Sequence, residues 1–280
     1  MPGGTLVAPC PALHMHRIAI LLLTFAALLV PPPARGQNSP QLITVDVASG
    51  RHPISADVYG VAHAGSAALG ELNVPLNRSG GNNTSRYNWQ QNADNRANDW
   101  YYQSIPYASA VAGEMGDSFV QATRSAGAEP MLTIPMVGFV AKLGVNRSKL
   151  ASFSIAKYGP QTGNDWQWFP DAGNGIRTSG GYVTGNDPND ASVAADSLFQ
   201  LGWMQHLTGR WGTAAAGGLR YYILDNEPSI WHATHRDVHP TGATMDEVRA
   251  KLVDYALRVK SNDPARWWSV PKSGAGADIS

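Results

Sequence analysis

The chain has 280 residues, 43% of them hydrophobic and 15% charged, with 21 basic side chains against 21 acidic ones. That apolar content suffices for one large domain or two small ones with a true core. The balanced charge excludes an electrostatic grip on nucleic acid, which needs a basic surface.

Residues 1–36 read as an export signal. Arg17 supplies the positive start, and the apolar run 18–30 is too short to span a bilayer comfortably. Ala34 and Gly36 place small residues at the −3 and −1 positions before Gln37, and Met15 sits just ahead of this unit as a candidate true start. The rest carries 19 basic against 21 acidic side chains and is expected to be secreted, with no membrane partner. The only cysteine, Cys10, lies upstream, so the exported chain would hold neither a disulfide nor a thiol nucleophile.

Alternating apolar and polar residues predict a strand over 42–47 and a second short one over 58–61. Residues 76–78 read as a strand end running into Ser79-Gly80-Gly81-Asn82-Asn83, where a glycine pair lets backbone turn sharply and approach a ligand. The polar stretch 82–102 holds Tyr87, Trp89, Trp100, Tyr101 and Tyr102, a mix that suits a substrate-facing loop rather than disorder. Asp117 is predicted to cap a helix carrying Phe119, Val120 and Thr123, closed by Gly127. A buried strand over 131–134 ends at Pro135. The Gly-, Asn- and Asp-rich stretch 144–189, with Trp166, Trp168 and Tyr182, is a long functional excursion. Asp190 is predicted to open a helix with Ala194, Leu198 and Leu201 on one face, stopped by Gly217-Gly218 before a strand from Tyr221. Thr244-x-x-Glu247 is a capping box, followed by the helical face Val248, Leu252, Tyr255 and Val259. This rhythm of strand, loop and helix predicts an α/β fold of parallel-barrel type, with its site where strands meet the following loops.

The strand from Tyr221 delivers Asp225-Asn226-Glu227-Pro228. Glu227 can protonate a glycosidic oxygen, Asn226 can bind a neighbouring sugar hydroxyl, and Pro228 ends the ladder. The same residues also read as a helix N-terminus with an Asp-Asn cap and an exposed Glu. Trp231 can stack on a sugar ring, and His232 and His235 can hydrogen-bond sugars or orient Glu227. A metal hydrolase built on His232, His235 and His239 is the lesser alternative, because their spacing lacks a catalytic zinc signature, and no metal is assigned. No cofactor is required; Asp94, Asp99 and Asp171 offer oxygen ligands for a structural Ca²⁺.

The segment Leu224-Asp225-Asn226-Glu227-Pro228-Ser229-Ile230-Trp231-His232-Ala233-Thr234-His235-Arg236-Asp237-Val238-His239-Pro240 resembles the acid/base segment of glycoside hydrolase family 44. Asn77-Arg78-Ser79-Gly80-Gly81-Asn82, followed by Arg86-Tyr87-Asn88-Trp89, resembles a second family segment, with Ser79 in place of the usual Trp. Asp171-Ala172-Gly173-Asn174-Gly175 resembles a third, and the likeness covers roughly residues 42–264.

The resemblance implies a secreted, retaining endo-β-1,4-glucanase or xyloglucanase acting on plant cell-wall β-glucan, monomeric at full length. Glu227 would be the acid/base, Asn226 its hydroxyl-binding neighbour, and Arg78, Asn82 and Trp89 further substrate contacts. The implied fold is a (β/α)8 TIM-like barrel, with only its N-terminal half present and strands of an accompanying β-sandwich before it. The expected division is a signal over 1–36, sandwich strands over 37–66, half a barrel over 67–264 and an aberrant tail over 265–280. The family's nucleophile is a Glu from a later strand, and Asp225, Asp237, Glu129 and Glu114 match no nucleophile motif. Back-translated with fitted codons and read two bases later, the tail gives a family-like string, so a shifted frame near Ala265 to Trp268 is expected. The chain as it stands is then expected to be truncated and inactive, or to act as a non-catalytic carbohydrate-binding fragment.

Overall fold

The computed structural model describes residues 42–51, 53–265 and 267–269, and for 267–269 the backbone alone. The expected export signal, with Cys10 and the join at Gln37, lies outside the described residues. Among the described residues no helix is long and apolar enough to cross a membrane.

The chain divides into two compact units, Met1–Pro53 and Ile54–Ser280. In the first, the described residues form extended chain and turns, and Leu42, Ile43, Val45 and Val47 all face solvent. The strand expected over 42–47 is therefore not formed. Its alternation is of no use without a neighbouring ladder and a face to bury.

The second unit is built on a parallel sheet of five strands: β1 (Gly60–Ala62), β2 (Leu76–Ser79), β3 (Glu129–Ile134), β4 (Tyr221–Leu224) and β5 (Trp267–Ser269). They lie side by side in that order. Four helices carry the chain from each strand to the next: α1 (Ser66–Leu72), α2 (Glu114–Ser125), α3 (Ser197–Trp211) and α4 (Met245–Asn262). Gly60 pairs in parallel with Leu76, so β1 belongs to this sheet and not to the sandwich expected over 37–66. At the other edge Tyr221 pairs with Trp267, so the tail expected to depart from residue 265 still keeps a strand in register. The described strands of this sheet number five, and the eightfold closure is not formed by the described residues.

Side chains alternate across this sheet. Leu132, Ile134, Tyr222 and Leu224 form one core with Val120 of α2, Trp203, Met204 and Leu207 of α3, and Tyr255 and Val259 of α4. Asn77 points the same way, its Nδ2 donating to Thr123 Oγ1 of α2 at 3.0 Å. Arg78, next in the strand, therefore points to the opposite face.

Two helices start elsewhere than expected. The N-terminal residue before α2 is Gly113, and Asp117 lies inside the first turn, where it accepts from Trp211 Nε1 and bonds His206 Nε2, each at 2.8 Å. Its carboxylate serves α3, so it does not cap. α3 opens at Ser197 because Asp196 caps it, accepting from the Phe199 N–H at 2.9 Å. Residues beyond Asp190 instead form the strand Ser192–Ala194, paired with Phe139–Ala141. The capping box at α4 is present: Thr244 Oγ1 accepts from the Glu247 N–H at 3.1 Å.

Chain returning from helix to strand is short, at 73–75, 126–128 and 212–220. Chain leaving β2, β3 and β4 is long, at 80–113, 135–196 and 225–244, so three excursions gather at the C-terminal end of the sheet. Two adjacent residues of the first excursion tie all three together. Arg86, fully buried, donates to both oxygens of Asp237 on the third at 3.0 and 3.1 Å. Ser192 and Ser152 of the second join this pair, through Arg86 Nη2 at 2.6 Å and Asp237 Oδ2 at 2.7 Å. Beside it, Ser85 Oγ donates to Asp225, which also accepts from the Met136 N–H and, at 2.6 Å, from the Asn226 N–H.

Removing one partner of a dry ion pair strands the other, so Arg86→Met should destabilise the chain by about 3–5 kcal/mol in urea titration. Arg86→Met with Asp237→Leu should recover most of that loss; no recovery would show that more than the pair was broken. Asp225 gives a pH signature. Burial pushes its carboxyl up from the usual 3.8 to about 6, against its three donors. A raised value means that the favourable contribution is complete below about 4 and lost as pH rises through about 6. Stability should therefore fall between pH 4 and pH 7 by roughly 3 kcal/mol from this group. Asp225→Asn should remove that slope while costing about 1–3 kcal/mol at pH 5, since the amide nitrogen that replaces one oxygen cannot accept from its donors. An unchanged slope would assign it to another group.

Candidate active site

β4 ends in two left-handed residues, Asp225 at φ +67° and Glu227 at φ +47°, on either side of Asn226. Residues with a Cβ adopt this region reluctantly, and only where their surroundings hold them there. The holds are visible. The Asn226 N–H is taken by Asp225, and the Asn226 carbonyl accepts from Trp231 Nε1 at 3.2 Å. Pro228 then opens the turn Pro228–Ile230, closed by the Ile230 N–H on the Glu227 carbonyl at 3.0 Å.

The Asn226 side chain is oriented from β2. Arg78 Nη2 donates to Asn226 Oδ1 at 2.5 Å, which fixes which end of the amide is which. Asn226 Nδ2 then donates to Glu227 Oε2 at 3.1 Å, with Asn82 Oδ1 at 3.5 Å on its other side. The Arg78 guanidinium lies so close against Gly80 that an added Cβ would collide with its central carbon. A side chain there would push the guanidinium away from Asn226. Four residues expected at the site, Arg78, Asn82, Asn226 and Glu227, thus meet in one cluster. Glu227 is half-buried and Asn226 buried.

Other expected contacts fall elsewhere. Trp231 is fully buried in the core and acts by holding the Asn226 carbonyl, not by stacking on sugar. Trp89 packs on Trp203, with ring centroids 6.2 Å apart, and donates to the Phe199 carbonyl, so it fills the space behind α3. His235 is fully buried, and neither ring nitrogen has a hydrogen-bond partner among the described residues. Burial, Arg86 and His239 hold its imidazole well below the ordinary range, so it stays neutral. His232 is exposed on the short helix Trp231–Thr234. His239 bonds Glu247 at 2.9 Å, so the three histidines serve separate ends.

The calcium candidates do not converge. Asp94 is fully buried, with Arg96 at 2.7 Å and the Asn83 amide and Tyr107 hydroxyl on its other oxygen. Asp99 accepts from Asn82, and Asp171 from the Ala156 N–H. Among the described residues no three acidic, His or Cys side chains gather around a metal-sized space. The role of Asp225 was missed from sequence; its place between a strand and Asn226 was the one available sign.

The chain is similar to known proteins over most of its length. A beta-mannanase/endoglucanase A from Caldicellulosiruptor saccharolyticus is 29% identical over 234 residues, 80% of this chain and 16% of that protein. An endoglucanase A from Paenibacillus lautus is 27% identical over 260 residues, 88% of this chain and 34% of that protein. Among solved structures, the bifunctional glucanase-xylanase CelM2 from a metagenome library is 66% identical, with a TM-score of 0.78 over 80% of this chain and 43% of its own. This chain thus spans less than half of each. The likeness to CelM2 carries the α/β, TIM-barrel-like architecture of a catalytic domain. The model of the family described as glycoside hydrolase family 44 matches residues 93–273, eight residues past the boundary expected at 265. The chain belongs to glycoside hydrolase family 44.

Proposed function

We propose that this chain carries the acid/base half of a secreted, retaining β-1,4-glucan hydrolase, exported by residues 1–36. The observation that carries the reading is the Asn226–Glu227 pair, presented at the C-terminal end of β4 and oriented by Arg78. Glu227 protonates the departing glycosidic oxygen and later takes a proton from the attacking water. Asn226 Nδ2, whose direction Arg78 sets, donates to a hydroxyl beside the reacting carbon, a bond that strengthens in the transition state.

Retention also needs a carboxylate about 5–5.5 Å across the sugar from the acid. The four carboxylates weighed from the sequence are otherwise engaged or placed. Asp225 is buried under three donors and Asp237 under Arg86. Glu129 starts β3, at the opposite end of the sheet from Glu227, and Glu114 starts α2. None of these four is placed to act, and the nucleophile is proposed to come from outside the described residues. A chain without it would bind β-glucan and not cut it, which is the second reading that this observation favours.

These 280 residues should release no reducing sugar from carboxymethylcellulose or xyloglucan, whereas a version extended to the length of CelM2 should. Turnover by the present chain would assign the nucleophile to a local acid. In the extended enzyme, Glu227→Gln should lower kcat on unactivated polymer by about 10²–10⁴-fold, and a normal rate would remove Glu227 from the acid/base role. Asn226→Ala should lower kcat with little change in KM; a rise in KM alone would make Asn226 a uniform binding contact.

A further inference from the structure

Lys251 lies on α4, the helix that follows the third excursion, and is not itself part of the site. Its Nζ donates to the Met136 carbonyl of the second excursion at 2.9 Å. The same ammonium stands 5.3 Å from the centre of the Trp231 ring and 3.7 Å from Glu247 Oε1. Only 24% of the side chain is exposed, so the charge is largely withdrawn from water. A withdrawn ammonium is costly unless it is compensated. Here a carbonyl, a carboxylate and an indole face share the compensation.

Two of these contacts are each one step from the backbone of Asn226. Trp231 Nε1 donates to the Asn226 carbonyl at 3.2 Å. The Met136 N–H donates to Asp225, whose other oxygen accepts from the Asn226 N–H at 2.6 Å. The two peptide groups that flank Asn226 are thus held through Trp231 and through Met136 with Asp225, and Lys251 touches both routes. The second of these peptides leads into Glu227. His239 also meets the Trp231 ring, with centroids 5.3 Å apart and planes at 61°, and bonds the same Glu247 oxygen at 2.9 Å. An ordinary i,i+4 surface pair of Glu247 with Lys251 would leave the Met136 contact unexplained. Were residue 251 only a filler beneath Trp231, a methionine would cover the ring as well.

We propose that Lys251 is a positioning residue for the acid/base pair: by tying Trp231 to the Met136 segment, it fixes the peptides on both sides of Asn226 and with them the placement of Glu227. The proposal rests on the hydrolase reading for its catalytic consequence, and the local ordering stands apart from that reading. A carboxyl displaced from its line to the glycosidic oxygen loses rate without losing substrate affinity.

Two measurements test it. The first is hydrogen exchange, read by mass spectrometry, on the 280-residue chain and two variants. Lys251→Met keeps an apolar stem and loses the ammonium, and Lys251→Arg keeps a cation that can donate to a carbonyl and cover an indole. Lys251→Met should speed exchange about tenfold in peptides covering 134–137 and 224–231, with peptides of α2 unchanged, and Lys251→Arg should stay near the parent. A uniform change across the chain, or none, overturns the proposal, since a purely structural contribution is not confined to the two held segments. The second is turnover of carboxymethylcellulose by the extended enzyme, well below the thermal midpoint of each variant. Lys251→Met should lower kcat about tenfold with KM within about twofold, and Lys251→Arg should restore most of the loss. An unchanged kcat, with Glu227→Gln still impaired, overturns the positioning role and leaves the hydrolase reading intact. An extended parent with no activity overturns the hydrolase reading and the catalytic consequence together, and exchange alone then decides the hold on Asn226.

Discussion

A guanidinium in a dry interior must find a carboxylate at hydrogen-bonding distance, and Arg86 of the first excursion finds one on the third, with hydroxyls of the second completing the pair. Its partner Asp237 lies 151 residues away along the chain, and the hydroxyls completing the pair come from Ser152 and Ser192. Neither charge can be left behind as the loops assemble, so the arrangement is held together as a unit. Ser85, the preceding residue, applies the same logic to Asp225, one residue from Asn226. The outer face of the sheet is held by apolar packing against α2, α3 and α4. The end where chemistry is proposed is held by buried polar contacts instead.

This division explains how a strained backbone can persist beneath Glu227. Asn226 has its N–H, its carbonyl and its amide oxygen each assigned a different partner: Asp225, Trp231 and Arg78. Those partners come from the strand end, the following short helix and β2. With Asn226 pinned at three points, the left-handed turns on either side have no room to relax. The direction of the amide donor follows from the fold and does not wait for a ligand.

Much of the scaffold was legible in the sequence because its signals are local. β3 and β4 read as apolar residues ending at a loop, β2 reads as a strand end before a glycine pair, and α4 carries its own cap and a clear buried face. The starts of α2 and α3 were displaced because Asp117 and Asp190 are credible caps by type, while tertiary partners claimed the first and a better-placed Asp196 replaced the second. The stretch 42–47 alternates correctly but finds no ladder among the described residues. At the site, the side chains of Arg78, Asn82, Asn226 and Glu227 lie together in one cluster. Trp89, Trp231 and His235 do not reach the cluster with their rings free for a ligand, since an aromatic residue in a loop carries no mark of which side it will face. The clasps were invisible for a different reason: a buried pair separated by 140 or 151 residues leaves no spacing to read.

Because the excursions are fastened by a few side chains, each behaves as an exchangeable part with a defined set of attachment points. The second excursion meets the clasps through the Met136 N–H, Ser152 and Ser192. Further along, Asp165 accepts from Gln103 of the first excursion and Asn186 donates to the Asp237 carbonyl of the third. A loop transplanted from a relative should seat correctly only if it keeps these attachment points. Diversification of this surface is then constrained at the positions that make these contacts, and the exposed positions between them are where the chain can vary.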